Sequence, residues 1–227
     1  MPDKERNLLM DKIVCVGKNY ADHVKEMAAM LGDASSEKPV LFLKPPSVLR
    51  EAKAVGEVLP LRLPPDGGLV HHECEIVLRL SRGGFHMSLE EARDAIQAVT
   101  LGLDMTRRDL QAAAKQKGQP WTTGKVFLDA AAVGPWVLVE EFPNYLETPF
   151  RFFLGGKLRQ EGRGAEMLTS PSECVAYASS FFPLCAGDLI FTGTPSGVGP
   201  VVGGDTAQLE WGPMHFSTRW VNGTEAT

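Results

Sequence analysis

The sequence predicts a single domain of the α+β class, built on a mixed β-sheet with helices inserted between its strands. Roughly nine or ten segments have the short apolar pattern of strands, and four have the pattern of helices. The 23 glycines and 16 prolines among 227 residues exceed the average share of about 12%, which indicates many turns. An apolar content of 44% and a charged content of 22% are typical of a folded globular protein.

The first half of the chain alternates between predicted strands and helices. Short apolar runs that end at Gly or Pro predict buried strands, and a polar cap before a helical pattern predicts a helix start. In order, the elements are strand Ile13–Gly17, helix Asn19–Met27 with Asn19 as N-cap, loop Gly32–Lys38, strand Val40–Leu43, strand pieces and turns over 50–69, strand Leu69–Leu80, a helix from the Ser88 capping box to about Val99, and strand Leu101–Met105.

The second half is predicted to be richer in strands. Its first helix follows a Thr106–Asp109 cap, and Gly155-Gly156 has the composition of a hairpin turn. The elements are a helix to Lys117, strands Val133–Glu140, Phe150–Leu154 and Lys157–Gln160, helix Ser172–Phe182, and closing strands Leu189–Thr192, Thr206–Trp211 and His215–Val221.

Composition also excludes several classes of protein. The formal charge of −5 argues against nucleic-acid binding, which usually needs a clustered basic face. No apolar run approaches the length of a transmembrane helix, and the first seven residues are too polar for a signal peptide. The four cysteines form no Cys-x-x-Cys pair, so we expect a reducing, cytoplasmic environment and no structural zinc site.

Acidic residues in apolar surroundings indicate a metal site. Glu73 and Glu75 are two positions apart in a predicted strand, so they share one face, with Cys74 on the other. Two such carboxylates repel each other, and a hard divalent cation would relieve that repulsion. Asp104, where a strand runs into a helix, could be a third ligand. The alternatives are an exposed strand edge for the glutamates and a helix cap for Asp104.

Other candidate residues flank this acidic group. His23 and Glu26 are neighbours on a helix, where Glu26 could orient the imidazole and His23 could take a proton from water; an ordinary surface pair is the alternative. Lys125 enters an apolar stretch and could act as an electrophile, or simply extend to solvent. Gln111 could donate to a substrate carbonyl or be solvated.

The glycine-rich loop Thr192–Pro200 follows a predicted strand. Its N–H groups and hydroxyls could hold a carboxylate, although a plain turn is the alternative. The loop is not a P-loop, because no Gly-Lys-Ser/Thr follows, and its glycine spacing does not match a dinucleotide-binding fingerprint.

Taken together, six motifs in this order resemble the fumarylacetoacetate hydrolase family. They are Val16-Gly17-Lys18-Asn19-Tyr20-Ala21-Asp22-His23, Phe42-Leu43-Lys44-Pro45, His72-Glu73-Cys74-Glu75, Leu103-Asp104-Met105-Thr106-Arg107-Arg108-Asp109, Gly124-Lys125 and Thr192-Gly193-Thr194-Pro195-Ser196-Gly197-Val198-Gly199. The resemblance runs over about residues 13–221, which we expect to form one catalytic domain between tails at 1–12 and 222–227. The chain is similar in length to the single-domain acylpyruvase branch.

The resemblance implies a fold, a cofactor and a set of roles. It implies a mixed sheet rolled into a barrel-like core, a homodimer, and Mg²⁺, or Mn²⁺ or Ca²⁺, on Glu73, Glu75 and Asp104. It makes His23 and Glu26 the water-activating pair and Lys125 a further catalytic residue. The implied substrate-binding residues are Tyr20, Lys44, Gln111 and Thr194. Segment 32–38 is the expected lid over the metal.

The implied reaction is hydrolysis of a C–C bond in a 2,4-diketo acid such as fumarylpyruvate or acetylpyruvate. A metal and Lys125 would stabilise the pyruvate enolate that leaves. The same stabilisation would serve oxaloacetate decarboxylation or keto–enol isomerisation, which need no attacking water, and these stay open as alternatives. A non-catalytic protein that binds a metal or keto acid is a further alternative.

Overall fold

The computed structural model describes residues 10–25 and 39–223 and has the predicted α+β class. Its strands are β1 (Ile13–Gly17), β2 (Val40–Lys44), β3 (Leu49–Glu51), β4 (Val58–Arg62), β5 (Val70–His72), β6 (Cys74–Leu80), β7 (Ile96–Asp104), β8 (Thr106–Arg107), β9 (Ala131–Val133), β10 (Val137–Leu138), β11 (Phe150–Leu154), β12 (Lys157–Gly162), β13 (Leu189–Phe191), β14 (Gly199–Pro200), β15 (Thr206–Trp211) and β16 (Met214–Val221).

Helices are few and short. They are α1 (Leu89–Ala95), α2 (Arg108–Gln116), α3 (Thr122–Lys125) and α4 (Pro171–Ser179), and residues 21–25 are also helical. Both α1 and α4 begin with a capping box, in which Ser88 pairs with Glu91 and Ser170 pairs with Glu173. No helix in the described ranges is long and apolar enough to cross a membrane.

Three sheets make up the β-structure of the described residues, and the largest of them forms a curled half-barrel. Its strands run in the order β2-β1-β13-β6-β7-β9-β3, with β10 added beside β7. It is mixed, because β1 is parallel to β13 and β3 is parallel to β9, whereas β6 and β7 are antiparallel. A second sheet has the order β12-β11-β15-β16-β4, and a small third one has the order β14-β5-β8.

The centre of the large sheet is its most buried part. In β6 every residue except Arg79 is buried, and β7 is buried from Ala98 to Asp104. Gly102 lets the strands approach closely, since a Cβ there would lie 2.7 Å from the Ala132 carbonyl oxygen. Continuous burial holds the carboxyl end of β7 rigidly against the start of β6, which is where the acidic residues lie.

The structure corrects several predicted boundaries. The strand predicted over Leu69–Leu80 is interrupted at Glu73, which separates β5 from β6. The helix predicted from Ser88 to about Val99 ends at Ala95, because the chain from Ile96 pairs with β6 as part of β7. The predicted Thr106 cap is wrong: Thr106 lies in β8, and its hydroxyl donates to the Asp104 carbonyl.

Asn19 does not cap the following helix as predicted. Its side-chain amide donates to the Thr192 and Thr169 carbonyls, and its oxygen accepts the Thr169 N–H at 2.7 Å. It therefore joins the end of β1 to two distant loops. The predicted strand Val133–Glu140 is divided between β9 and β10, with a 3₁₀ turn at its end. Glu26, the loop 32–38 and the outermost parts of the predicted tails lie outside the described residues.

Candidate active site

Three buried carboxylates meet where β6 and β7 pair. Glu73 occupies the break before β6, Glu75 is the second residue of β6, and Asp104 ends β7. The Asp104 N–H donates to the Glu73 carbonyl at 2.9 Å, which fixes the register at this point. The three residues each offer a carboxylate oxygen within 4.8 Å of the others. The structure thus brings together the three residues predicted from sequence. Because all three are buried, the alternative of an exposed strand edge does not apply.

Cationic side chains compensate two of the three carboxylates. Lys125 Nζ lies 2.7 Å from Glu73 Oε2 and 2.6 Å from Asp104 Oδ2, and it also donates to the Thr106 hydroxyl. Arg108 donates to the other oxygen of Glu73. Burial alone would raise the pKa of Glu73, but Lys125 and Arg108 hold the pKa well below its usual range. Both Glu73 and Lys125 are therefore charged at neutral pH.

Glu75 is the uncompensated member of the group. It accepts the backbone N–H of Gly193 at 2.7 Å, but no cationic side chain of the described ranges forms an ion pair with it. Burial, followed by the charges of Asp104 and Glu73, raises the pKa of Glu75 well above its usual value. A bound cation beside Glu75 would remove this penalty.

Asp104 adds a second sign that the group fits a cation. Lys44 Nζ lies 2.6 Å from Asp104 Oδ1, yet this buried oxygen accepts no hydrogen bond within the described part of the chain. The Lys44 ammonium directs its N–H groups to the Met105 and Ala130 carbonyls. It therefore lies close to Asp104 Oδ1 without donating a hydrogen bond to it. Three carboxylates, one with a free lone pair, are the oxygen ligands that hard divalent cations prefer.

The carboxylates form the floor of a cleft with an open volume of about 480 Å³. Its lining mixes acidic, basic, aromatic and small residues, namely Val16, Gly17, Lys18, His23, Phe42, Glu73, Glu75, Asp104, Arg108, Gln111, Lys115, Trp121, Lys125, Gly193 and Thr194. A pocket with charged groups converging on a few apolar walls is typical of a binding site for a small polar molecule.

Three of the predicted catalytic and substrate-binding residues lie on this cleft beside Lys125. His23 is 8% exposed, and in its protonated form it helps to lower the pKa of Glu73, so the two side chains are near each other. Gln111 is buried, and its Oε1 accepts from Arg108 Nη1 at 2.6 Å. Thr194 lines the same cleft next to Gly193, and its hydroxyl donates to the Cys74 carbonyl at 2.7 Å. Glu26 lies outside the described residues, so its pairing with His23 stays a prediction.

Two predicted substrate-binding residues have other surroundings. Tyr20 is 3% exposed and belongs to the hydrophobic core, away from the cleft lining. Lys44 is 1% exposed, and its Nζ lies 2.6 Å from Asp104 Oδ1. Neither side chain lines the cleft, so their predicted contact with substrate is not supported by their position; Lys44 instead orients a candidate metal ligand.

Sequence reasoning missed two further contributors. Arg108 binds Glu73 and Gln111 together, and its position three residues before Gln111 on a predicted helix was the available signal. Gln160 on β12 accepts the Cys74 N–H at 3.0 Å and donates to the Thr194 hydroxyl at 2.7 Å. A buried Gln at an inward-facing strand position was its signal, but its partners are far away along the chain.

The geometry can be compared with known proteins. The chain matches the family model described as fumarylacetoacetate (FAA) hydrolase C-terminal over residues 12–219. It is 37% identical to oxaloacetate tautomerase YcgM of Escherichia coli (strain K12) over 211 residues, which cover 92% of each chain. It is 40% identical to the mitochondrial oxaloacetate tautomerase FAHD1 of Mus musculus over 189 residues, covering 83% of this chain and 81% of the relative.

The fold of this chain is also similar to that of a solved structure. The fumarylpyruvate hydrolase from Pseudomonas aeruginosa, in complex with Mn²⁺ and pyruvate, superposes with a TM-score of 0.86 and 36% sequence identity. The similarity covers 94% of this chain and 90% of that one. The family match spans nearly the whole chain, and the relatives share over a third of their residues with it. By sequence and by fold, this chain belongs to the fumarylacetoacetate hydrolase family.

Proposed function

We propose that this protein is a divalent-metal-dependent hydrolase that cleaves a C–C bond of acylpyruvates, giving pyruvate and a carboxylic acid. The observation that carries the proposal is that the buried imidazole of His23 lines the same cleft as Glu73, Glu75 and Asp104. A proton acceptor beside a cation-binding group is what activation of water requires. The structurally similar fumarylpyruvate hydrolase, described in complex with Mn²⁺ and pyruvate, supports the same reading.

In this proposal the three carboxylates hold the cation, and the surrounding donors hold the substrate. A bound divalent cation would attract the carboxylate and 2-keto oxygens of a diketo acid and draw electron density from them. Gln111 lines the cleft with a side-chain amide that can donate to a substrate oxygen, and Thr194 lines it with a hydroxyl whose proton is directed to the Cys74 carbonyl. Arg108 positions both Glu73 and Gln111, so the metal ligand and the substrate contact are oriented by one side chain.

The proton transfers fall to His23. Its imidazole accepts a proton from water as the hydroxide oxygen bonds to the C4 carbonyl carbon. The C3–C4 bond then breaks, its electron pair stays on C3, and the acyl group leaves as a carboxylic acid. His23 returns its proton to C3, which completes pyruvate. One water is consumed, and no redox partner is needed.

Lys125 supplies fixed positive charge at the point where negative charge develops. Burial alone would lower its pKa, but Asp104 and Glu73 raise it, so the ammonium is protonated at neutral pH in the metal-free site. Because it is buried and held by three partners, it needs little reorganisation during the reaction.

A second candidate function is oxaloacetate tautomerisation. The specific observation in its favour is that relatives 37% and 40% identical to this chain are named oxaloacetate tautomerases. The same residues would serve this reaction, with His23 moving a proton between C3 and the enol oxygen and no water attacking. Decarboxylation of oxaloacetate would use the same charge stabilisation.

The experiment that tests the proposal follows the absorbance of acetylpyruvate and fumarylpyruvate with purified protein. Reactions contain Mg²⁺, Mn²⁺ or EDTA, and oxaloacetate is assayed in parallel for enol loss and for CO₂ release. We expect metal-dependent release of pyruvate from a diketo acid. Turnover of oxaloacetate alone would overturn the hydrolase and leave the tautomerase or decarboxylase, according to whether CO₂ appears.

Three further points belong to this proposal and rest on the family resemblance. Mg²⁺ is proposed as the native cation, the protein as a homodimer, and the cytoplasm as its location. Metal analysis of protein purified without added metal and light scattering of the purified protein test the first two. A cation other than Mg²⁺ or a monomer would replace the corresponding part of the proposal.

A further inference from the structure

Asp129 is a buried residue with an unusual backbone conformation. It is 3% exposed, and its φ of +59° is a left-handed conformation that costs energy for residues other than Gly. It occupies the third position of the turn Phe127–Ala130, in which the Ala130 N–H donates to the Phe127 carbonyl at 3.0 Å. Because Gly suits this position better than Asp, the turn alone does not account for a carboxylate here.

The Asp129 carboxylate forms a bidentate ion pair with Arg62. Its Oδ2 accepts Arg62 Nε at 2.8 Å and the Arg62 backbone N–H at 2.9 Å, and its Oδ1 accepts Arg62 Nη2 at 3.1 Å. Arg50 Nε approaches Oδ1 only to 4.0 Å. Arg62 ends β4 in the five-stranded sheet, whereas Asp129 lies just before β9 of the large sheet. The Arg62–Asp129 ion pair therefore joins the two sheets and fixes the turn, because paired hydrogen bonds of this kind have a defined geometry.

The turn places the Ala130 carbonyl beside Lys44. Ala130 follows Asp129 directly, and its carbonyl accepts both the Met105 N–H and an N–H of the Lys44 ammonium. Lys44 Nζ also donates to the Met105 carbonyl at 3.0 Å and lies 2.6 Å from Asp104 Oδ1. The position of the Ala130 carbonyl therefore helps to determine where the Lys44 ammonium lies beside Asp104.

We propose that Asp129, held by Arg62, is a positioning residue for the cation site and acts on Asp104 through the Ala130 carbonyl and Lys44. Neither Asp129 nor Arg62 lines the cleft, so their effect on a bound cation is indirect. Loss of the ion pair frees the turn, and the Lys44 ammonium and the Asp104 carboxylate then lose their fixed orientation.

This inference rests on the proposed function only in that Glu73, Glu75 and Asp104 hold a divalent cation. It requires no particular substrate and no turnover. Mn²⁺ titration of purified protein is therefore a sufficient measurement, and urea unfolding in EDTA on the same samples reports stability separately. A merely structural residue would change unfolding and leave the Mn²⁺ affinity of the folded protein unchanged.

Two replacements of Asp129 separate the turn from the ion pair. Asp129→Gly relaxes the turn but removes the ion pair, and we expect Mn²⁺ affinity to fall by about tenfold, as is typical for residues that orient metal ligands. The Arg62 side chain is 25% exposed, so it can turn to solvent in this variant. Asp129→Asn keeps an oxygen that accepts from Arg62, and we expect a smaller loss of about threefold.

His86→Gly is the matched control, because His86 is an exposed residue with a similar φ of +55° and does not line the cleft. It also replaces a left-handed residue by Gly, and we expect the Mn²⁺ affinity of wild type. Arg62→Lys keeps a charge beside Asp129 but cannot form the bidentate pair, so it should weaken Mn²⁺ binding as Asp129→Gly does.

A double-mutant cycle tests the route through Lys44. Lys44→Met removes the ammonium, and we expect Asp129→Gly to have little further effect on Mn²⁺ affinity in that background. Equal effects of Asp129→Gly with and without Lys44 would overturn the inference. If Lys44→Met does not fold, Arg62→Lys decides, and wild-type Mn²⁺ affinity in Arg62→Lys overturns it.

The outcomes distinguish this inference from the proposed function. Unchanged Mn²⁺ affinity in Asp129→Gly, or an equal loss in His86→Gly, overturns the positioning role and leaves the hydrolase proposal in place. Wild type that binds no Mn²⁺ would overturn the cation site itself, and the inference with it. If the variants behave as expected but wild type hydrolyses no acylpyruvate, the hydrolase proposal fails and the positioning role stands.

Discussion

The amide group of Gln160 holds the hydroxyl of Thr194 at 2.7 Å, although the two residues belong to different layers of the fold. Gln160 lies on β12 of the five-stranded sheet, and its Oε1 also accepts the Cys74 N–H between the two glutamates. Its Nε2 donates in addition to the Pro195 carbonyl at 3.0 Å. One buried side chain thus ties the second sheet to both the metal-binding segment and the glycine-rich loop.

Replacing Gln160 should loosen this connection. In Gln160→Leu the buried Cys74 N–H loses its partner, which typically costs about 1–3 kcal/mol of unfolding free energy. Because the Cys74 backbone positions Glu73 and Glu75, we also expect Mn²⁺ affinity to fall by about tenfold. Urea unfolding and Mn²⁺ titration measure the two effects. Gln208→Leu, at an exposed position of β15, is the control and should change stability by less than about 0.5 kcal/mol.

Gly193 combines an unusual backbone conformation with a close approach. Its φ is +97°, and a Cβ there would lie 2.8 Å from Asn19 Cβ, while its N–H binds Glu75. Gly204 has a nearly identical φ of +94° but open space around its Cα. We expect Gly204→Ala to cost about 1 kcal/mol for the backbone alone. Gly193→Ala should cost about 3 kcal/mol and weaken Mn²⁺ binding.

Equilibrium unfolding and metal titration of the two glycine variants separate these contributions. If both variants lose the same stability, the close approach to Asn19 does not constrain the loop. If Gly193→Ala keeps wild-type Mn²⁺ affinity, the Gly193 N–H does not orient Glu75.

The pKa of Glu75 predicts how stability without metal depends on pH. Its folded-state pKa is raised, so the folded state binds more protons than the unfolded state above about pH 4.3. Stability of the metal-free protein should therefore fall as pH rises above this value. Glu75→Gln removes the effect, and near pH 7 the metal-free variant should be more stable than wild type by about 2 kcal/mol. Adding Mn²⁺ should reverse the order, because only wild type gains from binding.

Glu73→Gln is the opposite case and serves as the control. The pKa of Glu73 is lowered, so its contribution to stability is present above the unfolded-state value and is lost as pH falls. Removing its charge leaves Arg108 without its carboxylate partner and Lys125 with Asp104 alone, and it should destabilise the metal-free protein by about 3 kcal/mol at neutral pH. Urea unfolding from pH 5 to 8 in EDTA distinguishes the two variants. Parallel pH profiles for wild type and Glu75→Gln would contradict the assigned environment of Glu75.

Much of the fold follows from local sequence patterns. The apolar run after Glu75 predicts β6, the Ser88 capping box predicts the start of α1, and Gly155-Gly156 predicts the β11–β12 hairpin; the structure confirms all three. The end of α1 was not predictable, because the residues after Ala95 suit either a helix or a strand until β6 is available to pair with them. The order of strands within each sheet likewise depends on partners distant in the chain.

The site was predictable to the extent that its chemistry lies in short segments. Glu73, Glu75 and Asp104 stand out because carboxylates in apolar strands are costly unless something compensates them. Asn19 was misread as a helix cap because its real partners, Thr169 and Thr192, are more than a hundred residues away. Gln160 was missed for the same reason. Long-range side-chain contacts of this kind leave no local pattern.

The last prediction separates proton transfer from metal binding. His23 lines the cleft but does not belong to the group of candidate metal ligands, which is Glu73, Glu75 and Asp104. His23→Ala should therefore keep Mn²⁺ affinity within about threefold of wild type. Loss of a general base typically costs about 10²–10⁴-fold in rate, and we expect release of pyruvate from acylpyruvates to fall by that factor. Asp104→Asn, which keeps the shape of a candidate ligand, should lose both metal and activity.

The exposed His215 does not line the cleft, and His215→Ala is therefore the matched control with wild-type rate and metal affinity. Mn²⁺ titration followed by a pyruvate assay on the same samples measures both properties. Hydrolysis at the wild-type rate by His23→Ala would show that another group activates water. Loss of metal in His23→Ala would instead make His23 a ligand, because a base that only accepts protons from water does not contribute to cation affinity.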